Sequence, residues 1–426
     1  MLATLGGTPV RDVTTNPWPS WPVWGEEEEA GVLEVVRSGQ WSYNGPKELA
    51  FIAAWSEFLG VRHSVLVANG TVSIQLALEA LDIGPGDEVI VPGLTWQATA
   101  AAVIDVNAVP ILVDVEPDTW CISPTAVEAA ITPRTRAIIV VHLYGAMADM
   151  DAILPIARKH GLSVIEDAAH KHGGSWNGKK AGTLGDIGSF SLQLSKPLTA
   201  GEGGIITTDN AELWERIDAL RNCGRRPVQA AASSEKERGN YGTEGDLIQS
   251  GNYRITEFQA AVLLAGLRRL PEQNRHRAAN AEHLNARLEE IDGVEPLRAD
   301  ERETERAYFN FAFRYHADEF GGLSVARFRE ALAAELGIDV QPSYEPLNDC
   351  PLYRPLTKKR YHLSDAYWRA IDPGRFELPV CKRIYREESV NFHHTLLMGS
   401  KEDMDQVAQA VSKIRDNAAE LRAGAT

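Results

Sequence analysis

The sequence predicts an α/β protein: a large domain with a mixed, mostly parallel sheet, followed by a smaller α+β domain. Three observations predict it. Short apolar runs recur from residue 64 to residue 208, with helical segments between most of them. That alternation is what a parallel sheet covered on both faces requires. Beyond residue 270 the alternation gives way to a looser mixture of strands and helices. The length, 426 residues, suits two domains in one subunit.

The elements follow in order. Residues 1–25 are rich in Pro and Trp (Pro17, Trp18, Pro19, Trp21, Pro22, Trp24) and predict an irregular arm that packs on something, with a second subunit as one candidate. A helix is expected over Glu26–Ser38. Strands are expected at Ser64–Ala68, Glu88–Val91, Pro110–Val113, Ala137–His142, Ser163–Glu166, Ile187–Leu192 and Ile205–Thr208. Helices are expected at Thr71–Leu81, Pro124–Ile131 and Met150–His160. Gly84-Pro85-Gly86-Asp87 is a turn entering a strand. Arg226–Asp246 is polar and poor in large hydrophobes, a long excursion. An apolar helix is expected over Thr256–Leu270, interrupted by Pro271, and a polar one over Glu272–Ile291. A strand at Tyr308–Tyr315 and helices at Val325–Leu336 and Lys401–Leu421 complete the chain. The expected division is therefore an arm (1–25), a large domain (26–270) and a small domain (271–426).

Composition excludes several classes. Lys and Arg total 43 against 59 Asp and Glu, a net charge of −16, the wrong balance for a nucleic-acid binder. No run of about 18 apolar residues predicts a membrane span. Residues 1–11 lack a basic stretch followed by an apolar core, so no secretory signal is expected. Cys121, Cys223, Cys350 and Cys381 match neither a metal pattern nor a compact disulfide framework, which predicts free thiols in a reducing cytoplasm.

In such folds chemistry gathers at the carboxyl ends of strands, which places His142, Asp167 and the Ser189–Lys196 segment on one rim. Asn69-Gly70-Thr71 sits where a strand gives way to a helix. A helix N-terminus suits a phosphate, although the same tripeptide is also an ordinary turn with a cap. Asp167, in Val164-Ile165-Glu166-Asp167, is an acid at a buried strand end and needs a partner. A protonated heterocyclic nitrogen is one, and a neighbouring helix cap is another. Lys196 lies in a loop before a glycine-rich turn (Gly201, Gly203, Gly204) and is a candidate Schiff-base lysine or a solvated one. No dinucleotide or P-loop fingerprint occurs. His170 and His172 lack a third ligand, so no metal is expected.

Together these motifs resemble the DegT/DnrJ/EryC1/StrS family of aminotransferases that depend on pyridoxal 5′-phosphate. The resemblance is densest in GPGDEVIVP (Gly84–Pro92), AITPRTRAIIVVHLYG (Ala130–Gly145), VIEDAAHKHG (Val164–Gly173), SFSLQLSKPLTAGEGG (Ser189–Gly204) and GNYRITEFQAA (Gly251–Ala261). It implies the aspartate aminotransferase-like fold type I of pyridoxal-phosphate enzymes. By the same resemblance Lys196 carries the cofactor and moves the substrate proton, and Asp167 faces the pyridine nitrogen. Trp96 stacks on the ring, His170 lies near the ring hydroxyl, and Gly70, Thr71 and Ser191 contact the phosphate. Asn252 reaches the phosphate of the other subunit, which implies a homodimer with shared active sites and brings the Arg226–Asp246 excursion near the partner's substrate pocket. A family branch with histidine in place of the lysine performs dehydration, so Lys196 implies transamination. PGLTWQATAAAV (Pro92–Val103), VNAVPILVDVEPDTWCISP (Val106–Pro124) and the opening LGGTPVR (Leu5–Arg11) resemble the branch that uses L-glutamine to aminate scyllo-inosose or 2-deoxy-scyllo-inosose in aminoglycoside biosynthesis. Nucleotide keto-sugar aminotransferases and 3-amino-5-hydroxybenzoate synthases are the competing branches. The latter share the TAGEGG turn and a His-His pair, here His393-His394.

Overall fold

The apolar runs become strands because their β-branched side chains find cover on both faces. In the computed structural model, which describes residues 1–225 and 248–423, they form β1 (His63–Val67), β2 (Glu88–Pro92), β3 (Val109–Val113), β4 (Thr135–Val141), β5 (Ser163–Asp167), β8 (Ile187–Ser191) and β9 (Gly204–Thr208). Two short strands, β6 (Ser175–Trp176) and β7 (Lys179–Lys180), make a separate hairpin. The main sheet has seven strands in the order β1-β9-β8-β5-β4-β2-β3. Only β9 runs against its neighbours, β1 and β8. The sheet is thus mixed and mostly parallel, as the sequence predicts. β2 and β3 are buried along their whole length.

Around the sheet lie α1 (Glu26–Ser38) and α2 (Pro46–Leu59), the crossover helices α3 (Gly70–Ala80), α4 (Ala98–Asp105), α5 (Pro124–Ala130) and α6 (Met150–His160), and α7 (Ala211–Arg221) after the last strand. Phe51 and Trp55 of α2 are fully buried against the sheet. Each such side chain contributes about 1.5–3 kcal/mol of burial.

One sequence expectation fails in the next helix. Pro271 does not interrupt: α8 runs from Glu257 to Leu288 without a break. A proline inside a helix removes one backbone bond. Here Leu263, Leu267 and Leu270 before it are locked in the large-domain core, while Ala281, Leu284 and Leu288 after it are locked in a second core. Packing on both flanks outweighs the lost bond, and α8 becomes the beam shared by both cores.

The small domain folds on that beam. It has a three-stranded antiparallel sheet of β10 (Val294–Pro296), β11 (Asn310–Tyr315) and β12 (Ser389–His393), with α9 (Val325–Leu336) and α10 (Lys401–Asp416). The helix predicted to continue to Leu421 ends instead at Asp416, and a short helical segment follows from Ala418. The arm packs on this domain of its own chain. Leu2 is buried in its core, and buried Arg11 bonds Asp403 at 2.5 Å. Trp18 Nε1 donates to the Leu336 carbonyl at 2.8 Å. The Arg226–Asp246 excursion lies outside the described residues. Among the described residues no helix is long and apolar enough to cross a membrane.

Candidate active site

β1, β5 and β8 end on the same rim, and the rim opens into a cavity of about 620 Å³. Gly70, Thr71, Trp96, Asp167, His170, Ser191 and Lys196 all line it. Seven of the eight residues singled out in the sequence are thus brought together. Asn252 is the exception. It lies outside this cavity and pairs with Asn222 in an isolated antiparallel bridge.

One wall is the start of α3. Asn69 caps the helix, its Oδ1 accepting the Val72 N–H at 2.9 Å. The first turn of any helix has N–H groups without intrahelical acceptors and carries the positive dipole end, so it favours an anion. A side chain on Gly70 has no room there, since its Cβ would lie 2.9 Å from the Ser191 Cβ. Ser73 Oγ and Ser189 Oγ, 2.5 Å apart, tie this turn to β8.

The floor is Asp167. Side chains alternate along β5, so Glu166 and Asp167 leave the strand on opposite faces. Glu166 turns away from the cavity. Its carboxylate accepts the N–H groups of Gly182, Leu184 and Gly185 at 2.9, 2.6 and 2.7 Å. His142 is used there too, its Nε2 lying 3.0 Å from Glu166 Oε2, with both side chains fully buried. His142 follows the end of β4 on the rim, as expected, but its ring is a structural partner of Glu166 and does not line the cavity. Asp167 faces the cavity and accepts from Thr99 Oγ1 at 2.9 Å and from the Ala169 N–H at 3.2 Å. Burial still pushes its carboxyl above the usual carboxylate range. The two donors do not compensate for the lost water, and a cation brought against it would.

Lys196 sits opposite, in the loop between β8 and β9. The loop is tight: the N–H groups of Leu192 and Leu194 each donate at 2.8 Å to the carbonyls of Gly203 and Gly201. Gly203 has φ near +155°, which only glycine adopts freely. Lys196 is 8% exposed, and burial pushes its amine down to about 7, with Asp167 pulling the other way. Such an amine is substantially neutral at neutral pH and so is both nucleophile and proton carrier. Its Nζ lies 3.8 Å from the centre of the Phe309 ring.

The remaining wall comes from His170, Trp96, Phe309 and Tyr344. His170 Nδ1 accepts the Tyr144 N–H at 3.3 Å, which leaves its proton on Nε2, 3.2 Å from Tyr344 Oη. Burial holds the imidazole well below its ordinary range, so it is neutral. Its ring stacks on Phe309 with centroids 4.1 Å apart. Trp96 is 48% exposed at the mouth, 5.8 Å from the Tyr344 ring. Phe309, Tyr344 and Thr99 were not singled out in the sequence. Thr99 follows Trp96 by one helical turn within a quoted motif, but nothing local marks Tyr344. His172 stays out of the cavity lining and bonds the Ser191 carbonyl at 2.8 Å through Nε2.

The chain is similar to known proteins. The model of the DegT/DnrJ/EryC1/StrS aminotransferase family matches residues 22–396. The L-glutamine:2-deoxy-scyllo-inosose aminotransferase of Streptoalloteichus tenebrarius is 45% identical, with 99% of both chains covered. The L-glutamine:scyllo-inosose aminotransferase of Streptomyces griseus is 42% identical, again with 99% of both covered. The crystal structure of 3-amino-5-hydroxybenzoic acid synthase aligns with a TM-score of 0.79 at 31% identity, covering 96% of this chain and 99% of that one.

Proposed function

Because the chain belongs to the DegT/DnrJ/EryC1/StrS aminotransferase family, we propose that it uses pyridoxal 5′-phosphate to move the amino group of L-glutamine to a keto-cyclitol, scyllo-inosose or 2-deoxy-scyllo-inosose, in aminoglycoside biosynthesis. The observation that carries the cofactor is the pairing of a buried acid with a buried amine of lowered pKa in one cavity, beside a helix start that a glycine leaves open. The acceptor rests on relatives of 45% and 42% identity that bear those names.

The residues fit the cofactor group by group. Gly70, Thr71 and Ser191 hold its phosphate at the α3 N-terminus. Asp167 lacks a cation in its buried setting, and a protonated ring nitrogen supplies one. Trp96 would stack on the ring, His170 would lie near its hydroxyl, and Lys196 would carry the cofactor covalently. When bound, the cofactor supplies an electron sink for the bond broken at the substrate Cα. Lys196 Nζ, displaced from the cofactor by the incoming donor, would take the proton from the donor Cα and deliver it to the cofactor carbon on which the amino group is left. With the keto acceptor it works in the opposite direction. Asp167 keeps positive charge on the ring nitrogen throughout, and the α3 N-terminus fixes the phosphate so that the ring cannot drift from Lys196.

Asn252 reaches the partner subunit's phosphate in this reading, which makes the enzyme a homodimer with shared sites. Its position outside its own chain's cavity supports that role. The reaction belongs to a reducing cytoplasm, in keeping with four free cysteines among the described residues.

A half-reaction tests the proposal. The loaded enzyme is expected to lose its visible colour with L-glutamine and to regain it with one of the two cyclitols, releasing an aminocyclitol. Loss with glutamine but no return with either cyclitol would overturn the acceptor and move it to a nucleotide keto-sugar or an aminobenzoate precursor. No colour after added pyridoxal phosphate would overturn Lys196 as the attachment point.

A further inference from the structure

The small domain touches the lysine loop in a way the proposed chemistry does not account for. β12 ends at His393, and both His393 and His394 point at one atom, the carbonyl oxygen of Ser195. Their Nε2 atoms lie 2.8 and 3.2 Å from it. The tautomer of His393 is set by its other nitrogen. Nδ1 lies 2.5 Å from Thr395 Oγ1 and accepts the Thr395 N–H at 3.4 Å, so the proton resides on Nε2 and is donated to Ser195. His394 is fully buried, and its Nδ1 has no partner among the described residues, so its one useful N–H is also the Nε2 group. Burial and the nearby Arg277 hold both imidazoles below their ordinary range, so each is neutral and carries a single N–H. Two donors saturate the two lone pairs of one carbonyl.

That carbonyl belongs to the peptide that joins Ser195 to Lys196. The other end of the same peptide is also held, since the Lys196 N–H donates to the Gln193 carbonyl at 2.9 Å. A peptide is planar, so fixing its C=O and its N–H fixes the plane and hence the Lys196 Cα. The same small-domain edge also meets the amine. Phe309, whose carbonyl accepts the His394 N–H at 3.0 Å, lies under Lys196 Nζ at 3.8 Å. The strand edge therefore holds Lys196 at its backbone and at its tip.

We propose that His393 and His394 are positioning residues that fix the Ser195–Lys196 peptide and thereby set the reach of the Lys196 amine toward the substrate proton. The inference rests on the reading of Lys196 as the proton carrier. Its consequence is that proton transfer depends on how the small domain is seated on the large one.

The test compares wild type, His393→Phe and His393→Gln, with His394→Phe as a second site. Phe keeps a ring against His394 and Phe309 but has no donor, whereas Gln restores an N–H at about the same reach. Borohydride reduction and mass measurement establish that each variant carries the cofactor on Lys196. Single-turnover rates are then measured with L-glutamine and with L-glutamine deuterated at Cα. His393→Phe is expected to slow the step about tenfold, the scale of one lost positioning bond. The deuterium effect is expected to grow, the half-saturating glutamine concentration to stay unchanged, and His393→Gln to recover most of the rate. A His393→Phe enzyme with wild-type rate and isotope effect would overturn the inference while wild type still transaminates. So would a loss equal in Phe and Gln variants with an unchanged isotope effect. Wild type that keeps its colour with every amino donor would overturn the aminotransfer reading itself.

Discussion

Two residues carry the proposed chemistry, and each has a measurable signature. Burial brings the Lys196 amine down to about 7. The neutral amine attacks a carbonyl and the ammonium does not, and the neutral fraction rises with pH. Capture of pyridoxal phosphate by cofactor-free protein is therefore expected to accelerate through a midpoint near 7. A midpoint near the ordinary lysine value would show that the amine is solvated. Asp167 gives the complementary case, with burial raising its carboxyl. The folded protein then holds that proton to a higher pH than the unfolded chain does, so stability falls as pH rises between the ordinary and the raised value. Asp167→Asn removes that cost. The cofactor-free variant is expected to be more stable than wild type at neutral pH. Loaded with cofactor it loses a buried charge pair, and transamination is expected to fall about a hundredfold or more. Melting curves with and without cofactor, set beside initial rates, check both halves.

At the scale of elements, the site depends on a junction where α3 presses against β8. A Cβ on Gly70 would meet the Ser191 Cβ at 2.9 Å, and backbone atoms of β8 cannot swing aside as a flexible side chain would. Gly70→Ala is expected to weaken cofactor binding about tenfold with little loss of fold, measured by titrating cofactor-free protein. The long helix α8 gives a prediction of opposite sign. Pro271 lies inside it and gives up one backbone bond. Pro271→Ala is expected to raise stability by about 1–3 kcal/mol, seen as a higher melting temperature. This helix also shows where the sequence was and was not legible. Apolar runs such as Ala137–His142 named their strands because the local pattern and the tertiary burial agree. The cavity-lining residues were legible for a similar reason: Asp167 ends β5, Gly70 follows the end of β1 and Lys196 lies in the loop after β8, and strand ends are where such a sheet presents its chemistry. Pro271 misled because a local breaker was outweighed by leucines packed in two separate cores. Tyr344 and Phe309 were missed because they arrive from a distant part of the chain and carry no local signature. His142 sits on the rim as expected, but strand periodicity does not say which of two neighbouring acids, Glu166 or Asp167, a histidine will reach.

At the scale of the whole molecule, one chain closes a cavity but leaves a face open. Trp24, Leu33, Val36, Trp41 and Leu194 are exposed around the arm and the lysine loop. Several of them, with Trp21, border an apolar groove beside Pro197 and Leu198. Contiguous exposed apolar surface of this kind marks an association site. A second copy is the occupant that also accounts for Asn252, which the cavity of its own chain does not use. In a symmetric dimer each face meets its own counterpart, and under the proposed role of Asn252 each site would take Lys196 from one chain and Asn252 from the other. The consequence is testable by mixing. Lys196→Ala has no proton carrier in either site, and Asn252→Ala lacks the cross-subunit contact in both. In a mixed dimer one site receives both defects, and the other receives Lys196 from the second variant and Asn252 from the first. Unfolding and refolding the two variants together is therefore expected to restore activity that neither has alone, about a quarter of wild type for random pairing at equal amounts. Activity no higher than the sum of the separate variants, in a mixture shown by mass measurement to contain mixed dimers, would place both residues in the site of a single chain.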